Sequence, residues 1–412
     1  MSKIDQLISE LCPEGVEFKT IGEVVEFVKG ASIPRARTSV DYEVPYLHYG
    51  DVYKLYKKEV DLDAVYDAII KVSASERIRE NQYIQTGDIV YNLTSETRED
   101  LGKAIVVINN RGRKFIAGTE TTVMKITRKD IVDPCFLNYV LMTEWYLRQF
   151  KLHTTGTKVY RVHPRTIAKI SIPLPPLAIQ KEIVNILNKF TELEAELEAE
   201  LEARNKQYEH YRSRLLVFGN DVRHVTLGDI GKVTMCKRIF KDETLAVGEI
   251  PFYKIGTFGK EPDAFISEKL YEEYREKFSF PKKGDILLSA SGTIGRRVVY
   301  DGKPAYFQDS NIIWIDNDER LVLNRFLYHF YATVKWQTEG GTIARLYNDN
   351  LKKVRISLPP LAEQERIAGI LDKFNALVND ISIGLPAELS ARRKQYEYYR
   401  SKLLTFKEYA AN

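Results

Sequence analysis

The sequence predicts an α+β protein made by internal duplication, in which two homologous globular domains are separated by two long coiled-coil helices. Three observations predict this. Residues 171–218 and 356–406 are two versions of one text, the segments before them echo each other more faintly, and each repeated text carries the apolar spacing of a long helix.

The first version runs Pro175, Pro176, Leu177, Ala178, Ile179, Gln180. It passes through Ile186, Leu187, Lys189 and Phe190, and closes on Lys206, Gln207, Tyr208, Glu209, Tyr211, Arg212 and Ser213. The second runs Pro359, Pro360, Leu361, Ala362 and Gln364, then Ile370, Leu371, Lys373 and Phe374. It closes on Lys394, Gln395, Tyr396, Glu397, Tyr399, Arg400 and Ser401. Upstream, Thr20, Ile21, Gly22, Glu23, Val24 answers Thr226, Leu227, Gly228, Asp229, Ile230, and Gly87, Asp88, Ile89 answers Gly284, Asp285, Ile286. Pro45 and Gly50 answer Pro251 and Gly256, and Gly156, Thr157 answers Gly341, Thr342. A period of about half the chain is too long for a solenoid of short repeats, so a whole domain is duplicated. The order is globule (1–170), helix (171–220), globule (221–355), helix (356–412).

Each globule mixes short β-type runs with Gly and Pro punctuation. In the first, strands are expected at Asp88–Asn92, Lys103–Ile108 and Thr121–Ile126, with a helix at Cys135–Phe150. In the second, strands are expected near Asp285–Ser289, Arg297–Tyr300 and Asn311–Ile315, with a helix at Val322–Trp336. Each globule ends in a diproline, which cannot sit inside a helix but suits its first turn.

From Leu177 to Phe218 no proline occurs, and the first glycine is Gly219. Such a helix spans roughly 60 Å at 1.5 Å per residue. Ile183, Ile186, Phe190, Leu193, Leu197, Leu201, Tyr208, Tyr211 and Leu215 fall three or four apart for much of its length, the stripe of a helix packed against a partner helix. The second version is the obvious partner. Between Leu193 and Ala203 a four-residue unit beginning Leu-Glu-Ala is stated three times, adding helix length with little change of packing face. The second version is four residues longer between Phe374 and Arg392 and contains Gly384, Leu385, Pro386, which should kink or break the helix.

At 412 residues and 44% hydrophobic content, the chain has ample material for ordinary cores. A net charge of +4, from 61 basic and 57 acidic residues, is too slight to announce a nucleic-acid binder. Charge is nonetheless segregated, because Glu192, Glu194, Glu196, Glu198, Glu200 and Glu202 precede the first basic residue of that stretch, Arg204. Cys12, Cys135 and Cys236 have no C-x-x-C spacing, which argues against zinc and a disulfide framework and favours a reducing, cytoplasmic setting. Residues 1–11 have no signal-peptide pattern, and no apolar run approaches membrane-spanning length.

Catalytic motifs are missing. There is no G-x-x-x-x-G-K-[ST] loop, no G-x-S-x-G elbow around Ser289 or Ser291, and no H-E-x-x-H among the six histidines. An amino-methyltransferase needs an acidic residue or Asn before Pro-Pro-aromatic, whereas both diprolines here follow and precede Leu. No catalytic residue, metal or cofactor is expected.

Basic, aromatic and amide side chains do gather in loops. In the first globule Lys29, Arg35 and Arg37 share an early loop, and Lys158, Tyr160, Arg161 and Arg165 follow Gly156. In the second, Lys237 and Arg238 fill the corresponding early loop, Ser291, Thr293, Arg296 and Arg297 follow Gly284, and Arg345, Tyr347 and Asn348 follow Gly341. These residue types grip phosphates and read base edges, so this set is the candidate DNA-binding surface.

With these residues in view, the chain resembles the specificity (S) subunit of type I restriction-modification enzymes over nearly its whole length. The Pro-Pro-Leu-Ala-x-Gln texts, the Gly-Asp-Ile runs and the doubled globule-helix layout carry the resemblance. The Lys-Gln-Tyr-Glu-x-Tyr-Arg ends and the Leu/Ala/Glu units look like the type IC subgroup. It implies that each globule is a target-recognition domain reading one half of a bipartite, asymmetric double-stranded DNA target. The helices, antiparallel about a pseudo-twofold axis, would set the gap and dock two methylation (M) subunits, through which restriction (R) subunits join. Catalysis would then belong to those partners. Two rival readings are a free-standing dimeric DNA-binding or regulatory protein, and a metal-dependent nuclease built on Asp263 and Asp301.

Overall fold

The computed structural model describes residues 3–339 and 344–409. The chain forms two compact units. One comprises the residues up to Glu196 together with those from Ser390, and the other is Leu197–Leu389.

In the first unit a five-stranded sheet runs Val25–Lys29, Thr121–Ile126, Ile89–Asn92, Ala104–Ile108, Glu59–Asp61. Neighbours are antiparallel except the last pair. A four-stranded sheet (Ile116–Ala117, Val44–Leu47, Lys71–Val72, Thr38–Ser39) lies in the same unit. In the second unit an antiparallel sheet runs Gly231–Thr234, Ile312–Asn317, Ile286–Ser289, Arg297–Val299. A three-stranded sheet, Phe265–Ile266, Ile250–Tyr253, Tyr306–Phe307, accompanies it. Central strands such as Ile89–Asn92 and Ile286–Ser289 are buried along their whole length, so they read as continuous apolar runs rather than alternation.

The Gly-Asp-Ile text is a strand-starting turn in both units. Gly87 and Gly284 sit at φ +89° and +97°, where a side chain is strained. The following aspartates accept amide hydrogens from three residues back, Asp88 from Gln85 (2.9 Å) and Asp285 from Lys282 (2.7 Å).

The Pro-Pro-Leu-Ala-x-Gln text is a clamp. Gln180 is fully buried; its side chain accepts from the Asp133 amide (2.8 Å) and donates to the carbonyls of Ile131 and Pro175 (both 2.7 Å). Gln364 does the same with the Leu323 amide (3.0 Å) and the carbonyls of Leu321 (3.0 Å) and Pro359 (2.9 Å). One fully buried amide side chain thus satisfies three backbone groups, and ties the loop before a globule helix to the diproline.

Beyond the first diproline one helix spans Leu177–Leu215. The second text forms two helices, Leu361–Asn379 and Leu385–Leu403, so the break expected at Gly384–Pro386 is present. A Cβ on Gly384 would lie 2.5 Å from the Ala376 carbonyl oxygen, and Pro386 occupies the first turn of the new helix, where its missing N–H costs nothing. In the first unit Phe190 packs on Tyr399 (5.4 Å between ring centroids) and Tyr396 (6.3 Å), and Glu194 pairs with Arg393 at 2.8 Å. Numbers rise along one helix as they fall along the other, so the pair is antiparallel. In the second unit Tyr211 and Tyr208, the repeat counterparts of Tyr399 and Tyr396, stack on Phe374, the counterpart of Phe190, at 5.3 and 6.4 Å. The same contact is thus made once in each unit, with the two texts exchanged.

Three expectations need correction. The helix expected at Cys135–Phe150 is two, Pro134–Leu141 and Glu144–Leu152, because Thr143 adopts extended backbone and its hydroxyl bonds the Val140 carbonyl (2.7 Å). That expected at Val322–Trp336 is only Asn324–Tyr331. In the spacer stripe, Leu193 is 45% exposed, since the charged Glu194–Arg393 contact holds that turn instead.

Among the described residues no helix is long and apolar enough to cross a membrane, and no group of three His, Cys, Asp or Glu side chains could hold a metal. The three cysteines are unpaired, and burial pushes the thiols of Cys135 and Cys236 up to about 11 and about 12.

Gln364→Ala should leave the Leu323 amide and two carbonyls unsatisfied, costing about 3 kcal/mol or more. A fall in the denaturation midpoint with unchanged secondary structure, followed by circular dichroism, is the expected result.

Candidate nucleic-acid interface

In the first unit the strand Ile89–Asn92 continues through Leu93 into Thr94–Ser95, which pairs antiparallel with Tyr160–Arg161. Thr155 and Arg161 exchange backbone bonds of 2.9 Å in both directions and close a hairpin. Gly156 sits at its tip at φ +98°, and a Cβ there would lie 2.0 Å from the Val159 carbonyl oxygen. The turn therefore requires glycine. Lys158 is exposed at this tip, and Tyr160 stacks under the Arg98 guanidinium (5.0 Å). The chain then enters a short helix, Pro164–Ile167, whose N-cap is His163; its Nδ1 accepts the Arg165 amide at 3.1 Å.

These pieces border an open cleft of about 800 Å³ lined by Lys29, Thr94, Glu120, Arg161, His163 and Arg165, among others. Lys29 arrives from the end of Val25–Lys29, held opposite Thr122. The cleft thus gathers Lys29, Arg161 and Arg165 from the candidate set, all exposed. Arg35 and Arg37 are not among its lining residues; they occupy a 3₁₀ turn, where Arg37 faces Glu76 at 3.7 Å.

The second unit repeats the frame with other side chains. Leu346 donates to the Ala290 carbonyl (2.8 Å) as Val162 does to Leu93 (3.0 Å), and Ser291 bridges Arg345 as Thr94 pairs with Arg161. Glu339 and Arg345 exchange backbone bonds as Thr155 and Arg161 do. Gly341 and Thr342, matched in sequence to Gly156 and Thr157, lie outside the described residues. Asn311 joins the group: its side-chain oxygen accepts from the Ser291 hydroxyl (2.7 Å) and from Arg345 (3.4 Å). Tyr347 caps the helix Asn348–Lys352 and is 49% exposed.

Arg238 pairs with Asp309 at 2.8 Å, and Lys237 lies over the Phe278 ring at 5.2 Å. Thr293 is exposed in the turn Gly292–Gly295, with its carbonyl accepting from Ser289. Arg296 is committed to the Phe258 carbonyl (2.7 Å). Arg297 goes elsewhere: it is half-buried over Tyr328 (4.8 Å) and borders a cleft with Tyr208, Arg212 and Asp372, and burial pulls its guanidinium below its ordinary pKa. Strand alternation sends it to the opposite face from Arg296. Of the nuclease carboxylates, Asp263 pairs with Lys254 (2.8 Å) and Asp301 with Lys303 (3.4 Å).

Residue-type reasoning missed Thr94, Glu120, Asp309 and Asn311. Thr94 stands at the same offset from its Gly-Asp-Ile text as Ser291 does from the other, so aligning the repeats beyond those texts would have added it to Ser291. Glu120 announces itself only through its backbone, at φ +66°.

Residues 13–203 and 220–391 match the type I restriction modification DNA specificity domain, once for each copy of the duplicated frame. The chain belongs to that family. Among curated proteins it is 60% identical over 249 residues to the putative type I restriction enzyme specificity subunit S.HindORF215P of Haemophilus influenzae, covering 58% of this chain and 65% of that protein. It is 32% identical over 312 residues to the putative type I specificity subunit S.MpnORF89P of Mycoplasma pneumoniae, covering 72% and 89%. It is 35% identical over 260 residues to the EcoR124I/EcoR124II specificity subunit of Escherichia coli, covering 58% and 63%. The matches to the Haemophilus and Escherichia proteins thus span just under two thirds of their lengths. Two solved structures share the fold. The type I restriction-modification S subunit from M. genitalium has a TM-score of 0.54 at 15% identity, covering 95% of this chain and 96% of that one. A chain from work on complex assembly and conformational transition of the type I R-M system has a TM-score of 0.59 at 18% identity, covering 96% and 98%.

Gly156→Ala should open the 155–161 hairpin while leaving the sheet intact. Limited proteolysis is expected to show faster cleavage within that hairpin, with a nearly unchanged global melting temperature.

Proposed function

We propose that this family member is the sequence-specific DNA-recognition subunit of a type I restriction-modification complex, of the type IC kind, acting in the cytoplasm without a cofactor or catalytic residue of its own. Each globule, 1–170 and 221–355, is a target-recognition domain for one half of a bipartite, asymmetric target. The helical segments 171–220 and 356–412 set the gap and dock two methylation subunits, through which restriction subunits join. Methyl transfer and cleavage belong to those partners.

One observation carries the reading: the same hairpin-and-cap frame occurs in both units with different side chains on it, Arg161 with Thr94 and Arg165 in one, Arg345 with Ser291, Asn311 and Tyr347 in the other. A shared frame with diverged polar surfaces suits two related half-sites of unlike sequence. Exposed Lys29, Lys158, Arg161, Arg165, Lys237 and Arg345 supply phosphate grip, and exposed Tyr347 with the partly exposed Tyr160 and Asn348 supply base contact. The free-standing regulator has no observation of its own to favour it.

Co-expression with the candidate methylation subunit in a host without DNA methylation, followed by single-molecule mapping of methyl-adenine, tests this. One motif of two defined halves around a fixed unread gap is expected; no methylation despite a stable, active complex counts decisively against it. Deleting the unit Leu197–Glu200 removes roughly 6 Å of helix against about 3.4 Å per base pair, so the gap should shorten by one or two base pairs with both halves unchanged.

Arg161→Ala and Arg345→Ala should each weaken DNA binding by the complex and reduce the slope of log affinity against log salt by about 1. Arg297→Ala should leave that slope unchanged, which a salt titration of binding separates.

A further inference from the structure

Glu120 is an anomaly in the first unit's cleft. It is a half-buried carboxylate bordering the same space as Lys29, Arg161 and Arg165, yet among the described residues it forms no ion pair and accepts no hydrogen bond. The carboxylate is therefore free to accept a donor from outside the chain, in a cleft whose other charged groups are cations.

Its backbone adds an independent point. Glu120 stands in the tight turn Gly118–Thr121, closed by the Thr121 amide on the Gly118 carbonyl (3.3 Å), at φ +66°. Glycine or asparagine adopts that conformation readily and glutamate does not. Ser310, two residues before the strand Ile312–Asn317 of the second unit, in a turn closed by the Ile312 amide on the Gln308 carbonyl (3.1 Å), also has positive φ, +54°. These two are the only described non-glycine residues with positive φ. The turn before this strand thus holds one left-handed residue in each unit, and in neither is it glycine or asparagine. Strain held in the turn that borders the polar cleft points to a use for the side chain.

Resting on the DNA-recognition reading above, we propose that Glu120 is a base-reading residue of the first globule, accepting a hydrogen bond from an exocyclic amino group, cytosine N4 or adenine N6, in the major groove. Both groups are donors that a carboxylate accepts from and that phosphate-gripping cations cannot read. The surrounding cations bring the DNA backbone to the cleft and offset the repulsion between Glu120 and phosphate. By strand register Asn311 stands in the second globule where Glu120 stands in the first, so an amide replaces the carboxylate and the two half-sites are read differently there.

The test is the methylation map of Glu120→Gly beside the wild-type chain, both in complex with the methylation subunit. Glycine removes the carboxylate and relieves the backbone, so the variant should melt at the wild-type temperature or slightly above. The expected map keeps one half of the motif and the gap intact. In the other half a single cytosine or adenine position becomes degenerate, with discrimination there falling roughly ten- to hundredfold. Whether that position was cytosine or adenine identifies the amino group read. Glu120→Gln, which keeps an acceptor but loses the charge, should retain part of the preference. An unchanged motif in Glu120→Gly, or loss of methylation at every site with folding and assembly intact, overturns the role of Glu120 while leaving the wild-type bipartite motif standing. A wild-type complex without a bipartite motif overturns both.

Discussion

The structure depends on two buried glutamine side chains. Gln180 and Gln364 each bond a backbone amide and a carbonyl of the loop before a globule helix, and the carbonyl of the first proline of the diproline. A diproline frees the helix start from ordinary backbone bonding, so some side chain must fix the angle at which the helix leaves the globule. An amide offers both a donor pair and an acceptor, which no hydroxyl or carboxylate does. That is why the text Pro-Pro-Leu-Ala-x-Gln repeats as a unit: proline sets the start, and glutamine fastens it.

Within this common frame the two units diverge in chemistry. Tyr139 bonds Asn188 at 2.7 Å in the first, and at the matched positions His329 meets Asp372 at 2.6 Å in the second, with Tyr208 on the other ring nitrogen and Arg325 on the carboxylate. In the first unit the Lys58 ammonium also bonds Asn188 (2.9 Å), so an amide serving a phenol and a lysine has been replaced by a carboxylate serving a histidine and an arginine. In Asp372 burial works against the charge, but the bonds from His329 and Arg325 prevail and hold its carboxyl below the ordinary range. The backbone frame tolerates either solution because each leaves its buried polar atoms bonded.

Much of this was legible in the sequence because duplication shows each motif twice. The diprolines, the Gly-Asp-Ile turns, the glycine at the hairpin tip and the interruption near Gly384 are local backbone requirements, and local requirements leave local residue signatures. The edges of the globule helices were less legible, since Thr143 ends one helix through its own backbone conformation within an apolar run. Site membership was legible only in part. Lys29, Arg161 and Arg165 come from distant segments to one cleft, whereas Arg297, adjacent to Arg296 in sequence, turns to another face. Glu120 left no signature, because positive φ at glutamate is imposed by the surrounding chain.

The stacking of Phe190 on Tyr396 and Tyr399 has a consequence for how the protein is made. The second unit is one uninterrupted stretch, Leu197–Leu389, whereas the first needs residues from Ser390 onward. During vectorial synthesis the globule translated first is therefore the last to be completed, and its spacer segment waits with an uncovered aromatic face for nearly half the chain to emerge. Contacts so distant in sequence form slowly, and domains that wait are open to wrong partners. Polysomes translating this message carry nascent chains that present half of a helix pair to one another.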